Sequence, residues 1–301
     1  VCFFPVKVEA EPGVQLNLEK ETQEKVSLAI TDFIFNGAGS DIRGLGKEAR
    51  RILEKDLTYS ELFSLLGKPV FEQLEKMERA SSDMSYKNWR TIGAQWILKT
   101  EYRIISKGRG QIFDFRLYDA VNKRMILGKR YKASTKLLRK IVHRFADEVV
   151  LQLTGKRGLA ETQITFLGQK KNGSKEVYRV DFDGHNLRQL TRDDSVNLSP
   201  SWSPDGKYLS VTLYQDGNAE IYILKLRDRT LTRMTNQFAI DTESSWSPKG
   251  NKILFTSGRS GSPQIYELDL RKLNPKAKRV SFEGTYNAKA SYLPNEEGII
   301  F

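Results

Sequence analysis

The residues able to do covalent or acid–base chemistry are few. The sequence holds two histidines and one cysteine. His143 lies in "KIVHRFADEVV", one helical position from an apolar stripe, and His185 lies in the turn "DFDGHN". The two contexts are unrelated, and no G-x-S-x-G elbow supplies a nucleophile for either, so no Ser-His-Asp set can be assembled. Cys2 is the sole thiol, which leaves no partner for an intramolecular disulfide and no Cys-based zinc site. "GAGSDIRGLG" (37–46) has the glycine density of a phosphate loop, but it lacks the GK[ST] ending and its glycines miss the G-x-G-x-x-G spacing. It reads as a loop before a helix, His143 as a packed histidine and His185 as an exposed turn residue. These residues offer no catalytic set, no metal site and no cofactor loop.

The most conspicuous motif, "SWSPDGK" at Ser201–Lys207, is echoed by "SWSPKGN" at Ser245–Asn251. The echo belongs to a longer period. Tyr178, Tyr222 and Tyr266 are 44 residues apart, each inside "EVY", "EIY" or "QIY", and Gly173, Gly217 and Gly261 keep the same register. "QLT" ending at Thr191, "RMT" ending at Thr235 and "RVS" ending at Ser281 close the units at spacings of 44 and 46. Within the second unit, "YLSVTLY", "QDGN", "AEIYILKL", "RDRT" and "LTRMT" alternate strands with turns. A period near 44 with about four short strands is the pattern of β-propeller blades. "SPDG" is then a turn in which Pro sets φ and Asp-Gly completes the reversal, while Trp202 and Trp246 pack between blades. Blades are placed near 163–206, 207–250 and 251–297, and a degenerate echo, "SYLPNEEG" (291–298), opens a fourth. Three blades and a fragment cannot close a ring, so the expectation is a propeller truncated at its C-terminal side.

The elements before the propeller differ. "VSLAITDF" (26–33) reads as a buried strand; Ile42, Leu45, Ala49, Ile52, Leu53 and Leu57 carry helical spacing; and a further helix covers 70–77. Trp89 and Ile92 start another helix, three strands follow, and a helix over 135–153 turns Leu138, Ile141, Val142, Phe145 and Val149 inward. Residues 26–158 therefore form an α/β domain and 159–301 the incomplete propeller. The opening stretch "VCFFPVKVEA" carries Val8-Glu9-Ala10, small residues at the positions a signal peptidase reads. Residues 1–10 are taken as a signal-peptide remnant, and 11–25, polar and without core positions, as a mobile segment. The net charge of +12 comes from basic residues in short groups interleaved with acids, which favours a solvated basic surface over a nucleic-acid groove. No apolar run approaches the roughly 18 residues a spanning helix requires.

An α/β domain, the linker "HRFADEVVLQLTGKRGLAETQITFL" and blades of the form "VDFDGHNLRQLT…SPSWSPDGK" together resemble the TolB family, periplasmic proteins of the Tol-Pal envelope system. The resemblance spans almost the whole chain and is strongest from His143 to Gly250. It implies an anticodon-binding-like α/β domain, a six-bladed propeller and a protein-binding role in outer-membrane integrity and cell division. It also implies use by group A colicins during their import. The implied partners are the peptidoglycan-associated lipoprotein Pal, bound at one propeller face, and TolA, bound through the N-terminal segment. The protein would be a monomer, peripheral to the outer membrane through Pal. Carried onto this sequence, the Pal face comprises Asn197, Leu198, Ser199, Asp241, Thr242, Glu243, Asn287 and Ala288, in loops ahead of each "W-S-P". Thr242 and Glu243 match the family's pattern most closely. The TolA-type contacts fall on Glu11, Val14, Leu16 and Leu18. The rival reading is the propeller portion of a prolyl-oligopeptidase-type peptidase, whose mark would be a G-x-S-x-G after the blades. High basicity, an unusual N-terminal segment and a degenerate third blade are this chain's departures from the family.

Overall fold

The computed structural model describes residues 25–37, 40–81, 84–105 and 109–301. Two compact units meet at Gly158 and Leu159. The first is built on a mixed sheet. In chain order it comprises β1 (Val26–Ile30), β2 (Ile34–Phe35), α1 (Leu45–Tyr59), β3 (Phe63–Leu65), α2 (Lys68–Ser81), α3 (Tyr86–Thr91), β4 (Trp96–Ile105), β5 (Gly110–Asp119), β6 (Arg124–Ser134) and α4 (Leu138–Thr154). The sheet order is β3-β1-β4-β5-β6, with β2 added to β4. β1 pairs in parallel with β3 and with β4, and β2 in parallel with β4, whereas β4, β5 and β6 form an antiparallel meander.

Alternation along β4 and β5 sends successive side chains to opposite faces, so each face acquires its own core. On one, α1 packs against α4, and Phe145 of α4 stacks on Phe115 of β5 with ring centroids 4.4 Å apart. On the other, Phe71 of α2 and Trp89 of α3 close over Ile97 of β4. Burying each of these side chains contributes roughly 1.5–3 kcal/mol. All five inward positions expected on α4 are buried. Ile42 is not part of α1: it is 91% exposed, and the helix starts at Leu45 after Gly44, which is left-handed at φ 64°. The "VNK" reversal between β5 and β6 is held by Asp119, whose Oδ1 accepts from the backbone N–H of Val121 and Asn122 at 2.9 Å each.

The second unit continues with β7 (Gln163–Gln169), β8 (Lys175–Asp181), β9 (Arg188–Gln189), β10 (Val196–Trp202), β11 (Tyr208–Gln215), β12 (Asn218–Lys225), β13 (Thr230–Arg233), β14 (Asp241–Trp246), β15 (Lys252–Ser257), β16 (Gln264–Asp269), β17 (Lys278–Arg279), β18 (Ser291–Tyr292) and β19 (Ile299–Ile300). β10 to β13 and β14 to β17 are two four-stranded antiparallel meanders. β7, β8 and β9 form a smaller sheet joined to β10 by one parallel pairing, Val196 with Lys175, and β18 pairs with β19. β14 packs on β10, β11 and β12, and then on β18, so the leading strands of successive sheets lie side by side. This is propeller architecture.

The sheets place the blade boundaries differently from the sequence reading. Each strand that carries "SW" pairs antiparallel with the strand that follows it, and β10 pairs with the preceding strands only through Val196 and Lys175, so strand pairing groups the blades from Val196 and Asp241 onward. The "SPDG" turn links the first strand to the second within a blade. Ser203 Oγ accepts from the Tyr208 N–H at 2.9 Å and donates to Asp205 Oδ1 at 2.7 Å, with Gly206 left-handed at φ 67°. Trp246 is buried between sheets and donates from Nε1 to the Ser201 carbonyl of the preceding one at 3.2 Å.

Candidate functional site

A buried polar pair recurs in each complete turn of the repeat and positions the loops at one end of the propeller. Glu176 on β8 and Glu220 on β12 are almost wholly buried, as is Gln264 at the same place on β16. Each accepts a hydroxyl donated by the residue that ends its repeat: Thr191 at 2.6 Å, Thr235 at 2.5 Å and Ser281 at 2.7 Å. The same hydroxyls accept a backbone N–H from Val177, Ile221 and Ile265, each at 2.9 Å. The glutamates then reach the loop leading to the next sheet, accepting from the Asp194 N–H at 3.2 Å and from the Gln237 N–H at 2.7 Å. Burial alone would raise the Glu176 carboxyl, but the hydrogen bonds of Thr191, Lys170 and the Asp194 amide outweigh it and hold the group below its ordinary value. The fragments "EVY" and "QLT" were legible as repeats, whereas the bond between them required the folded sheet.

Those loops deliver three equivalent trios: Asn197-Leu198-Ser199, Asp241-Thr242-Glu243 and Asn287-Ala288-Lys289. The first two trios lie within β10 and β14, which corrects the expectation of loops ahead of "W-S-P". The strands absorb them through a bulge, with register shifts between Leu198 and Ser201 and between Thr242 and Ser245. The third residue of each trio is left-handed: φ is 47° at Ser199, 55° at Glu243 and 58° at Lys289.

The members of a trio differ in what they offer. Asn197 and Asp241 are fully buried, which removes them as contact groups; they anchor backbone instead. Asn197 Nδ2 donates to the Lys175 carbonyl and to Asp193 Oδ1, both at 2.9 Å, and Asp241 Oδ2 accepts from Arg259 Nη2 at 2.7 Å. Burial pushes the Asp241 carboxyl up despite the opposing hydrogen bond of Ser257 and the charge of Arg259. Asn287 Nδ2 donates to Gln264 Oε1 at 2.8 Å. Ser199 is exposed, and Leu198, Thr242, Glu243 and Ala288 are half-buried. Thr212 Oγ1 donates to Thr242 Oγ1 at 3.3 Å, and Glu243 Oε2 accepts from Thr256 Oγ1 at 3.4 Å. Lys289, absent from the sequence-derived set, is highly exposed and places Nζ 3.8 Å from Glu243 Oε1.

Sequence reasoning also missed the apolar residues at this end. Tyr214 is the penultimate residue of β11, Phe238 and Ile240 occupy the loop into β14, and Phe282 and Tyr286 occupy the loop after β17. All five are exposed, Phe238 completely and Phe282 at 74%. Large aromatic side chains in a loop such as "NQFAI" were the available signal, because a solvated turn has no use for them. Glu11, Val14, Leu16 and Leu18 lie outside the described residues.

Comparison with known proteins follows this division into two units. Residues 14–126 match the family described as the TolB amino-terminal domain, and residues 193–301 match the TolB beta propeller domain. The Tol-Pal system protein TolB of Desulfosudis oleivorans is 39% identical over 167 residues, which are 54% of this chain and 37% of that protein. The protein of the same name from Geobacter sulfurreducens is 33% identical over 174 residues, covering 58% of this chain and 39% of its own. The chain thus spans less than half the length of these relatives. The crystal structure of TolB from Acinetobacter baumannii superposes with a TM-score of 0.58 at 22% identity, over 92% of this chain and 76% of that one, a likeness of fold.

Proposed function

Because this chain belongs to the TolB family, we propose that it is a non-catalytic, protein-binding component of the Tol-Pal envelope system, acting in the periplasm. The partner at the propeller is a Pal-type lipoprotein, and the N-terminal segment engages a TolA-type protein. The chain works as a monomer that reaches the outer membrane through Pal and supports envelope integrity during division. The observation that carries this reading is that one end of the propeller carries both the trios and five exposed apolar side chains. Ser199, Thr242, Glu243 and Lys289 offer donors and acceptors beside exposed aromatic area, the composition of a protein-recognition patch. No helix among the described residues is long and apolar enough to cross a membrane.

The test is calorimetric titration of the full-length protein with the soluble domain of its own Pal. Glu243→Ala and Lys289→Glu are each expected to weaken binding several-fold, and Phe238→Ser combined with Phe282→Ser by more than tenfold. Unchanged affinity in all three would overturn the assignment of the partner to this end.

A further inference from the structure

The first unit carries a groove that the propeller function does not use. It has a volume of about 540 Å³ and runs between α2, the start of α3 and the face of β4 and β5 that those helices leave uncovered. Among the described residues its walls carry Arg79, Lys99 and Arg116 against Glu75, Glu78 and Glu101. The register explains the clustering. Lys99 lies opposite Arg116 and Ile97 opposite Tyr118 on β4 and β5, so the cations continue the face whose inner part α2 and α3 cover. Each acid holds one base: Glu75 with Arg79, Glu78 with Lys99 at 2.5 Å and Glu101 with Arg116 at 2.5 Å.

The pairs are unequal in depth. Glu78 is nearly buried and also accepts from Trp89 Nε1 at 2.7 Å and from the Ser85 N–H at 2.8 Å, so its position is set by the fold. Glu101 and Arg116 are each about a third exposed, and Glu101 Oε2 also accepts from Asn36 Nδ2 at 2.8 Å. Arg116 donates to Glu101 through Nη1 and Lys99 to Glu78 through Nζ, which leaves further N–H groups on both for an incoming acceptor. The remaining wall is apolar: Met84, with Tyr86 set edge-on to Tyr118 at 6.5 Å between centroids.

We infer that this groove binds an amino acid or short peptide with both termini free. A polyanion would meet three carboxylates and a polycation three bases, and an apolar ligand would strip water from six charges and return nothing. A zwitterion supplies a carboxylate for Arg116 and Lys99 and an ammonium for Glu101, each met by a charge-assisted hydrogen bond. Its side chains lie along Met84, Tyr86 and Tyr118. The volume falls within the range of small-molecule sites.

The experiment is an NMR titration of the full chain with trialanine, read on the indole N–H of Trp89, whose hydrogen bond to Glu78 reports on the groove. That signal is assigned with Trp89→Phe. Trialanine is expected to shift it saturably at millimolar concentration or below, and N-acetyl-trialanine amide to bind at least tenfold more weakly. Arg116→Gln is expected to raise the trialanine Kd about tenfold, with Arg116→Lys recovering part of the loss. The inference is overturned if trialanine gives no shift up to about 10 mM, if the blocked peptide binds equally well, or if citrate shifts the signal and trialanine does not.

Discussion

Glu220 gathers four donors in a site 1% exposed: Thr235 Oγ1, the Gln237 amide, Asn218 Nδ2 at 3.0 Å and Arg233 Nη2 at 3.1 Å. Replacing Thr235 with Val removes one of these and also orphans the Ile221 amide. The expected cost is about 1–3 kcal/mol, read as a lowered midpoint in denaturant unfolding. Glu176, its counterpart one repeat earlier, supplies a pH prediction. Its carboxyl is held below the ordinary 4.5 in the folded protein, so its contribution is complete above that value and is lost as pH falls through the folded value. Glu176→Gln cannot titrate and is expected to show a shallower loss of stability below pH 4.5. Thermal melts across pH 3–6 check this, and an unchanged acid limb would remove Glu176 from the account. The third repeat already carries Gln264 with Ser281, so the device works with an amide.

The bulges in β10 and β14 belong to the scale of the element. A non-glycine residue held left-handed costs about 1–2 kcal/mol, and Ser199, Glu243 and Lys289 all meet that cost at equivalent places. The bulge directs the chain from the anchoring Asn197 or Asp241 to the strand that carries the Trp, and it leaves the third residue facing outward. At Ser199, glycine is expected to leave stability unchanged or raise it by about 0.5 kcal/mol, and Val to lower it by about 1–2 kcal/mol. Chemical denaturation of the two variants measures both. Equal stability of the two would mean that the backbone there is not strained. Position 243 needs this control, because Glu243→Ala alters the proposed partner contact and a left-handed residue together.

For the whole molecule, charge and apolar surface make opposite demands on recognition. The chain carries a net charge of +12, and the end of the propeller proposed for the partner exposes Phe238, Ile240, Phe282 and Tyr286 among charged groups of both signs, including Arg192, Asp194, Asp216, Glu283 and Lys289. Binding there is expected to survive salt. Raising ionic strength from about 50 to 500 mM shortens the Debye length from roughly 14 to 4 Å and weakens exposed charge pairs, while apolar burial persists. Affinity for Pal is expected to fall less than tenfold over that range, less than on loss of Phe238 and Phe282. A steeper fall in the calorimetric titration would transfer the role to Lys289 and its basic neighbours.

What was legible in the sequence was whatever repeats or alternates locally. The 44-residue period, the turn chemistry of "SPDG", the inward stripe of α4 and the meander of β4 to β6 are short-range patterns, and each follows from side-chain spacing along one strand or helix. The family was legible for the same reason, since its marks are those repeats. The strand assignment of Asn197–Pro200 was not legible, because a bulge with a left-handed residue reads locally as a loop. Nor were the burial of Asn197 and Asp241, the bond from Glu176 to Thr191, or the approach of Lys289 to Glu243, since each depends on residues far apart in the chain and is settled only when strands pair or sheets stack. The groove of the first unit belongs to the same class: its six charges come from α2, β4 and β5, and their grouping exists only after the sheet has paired and the helices have closed half of its face.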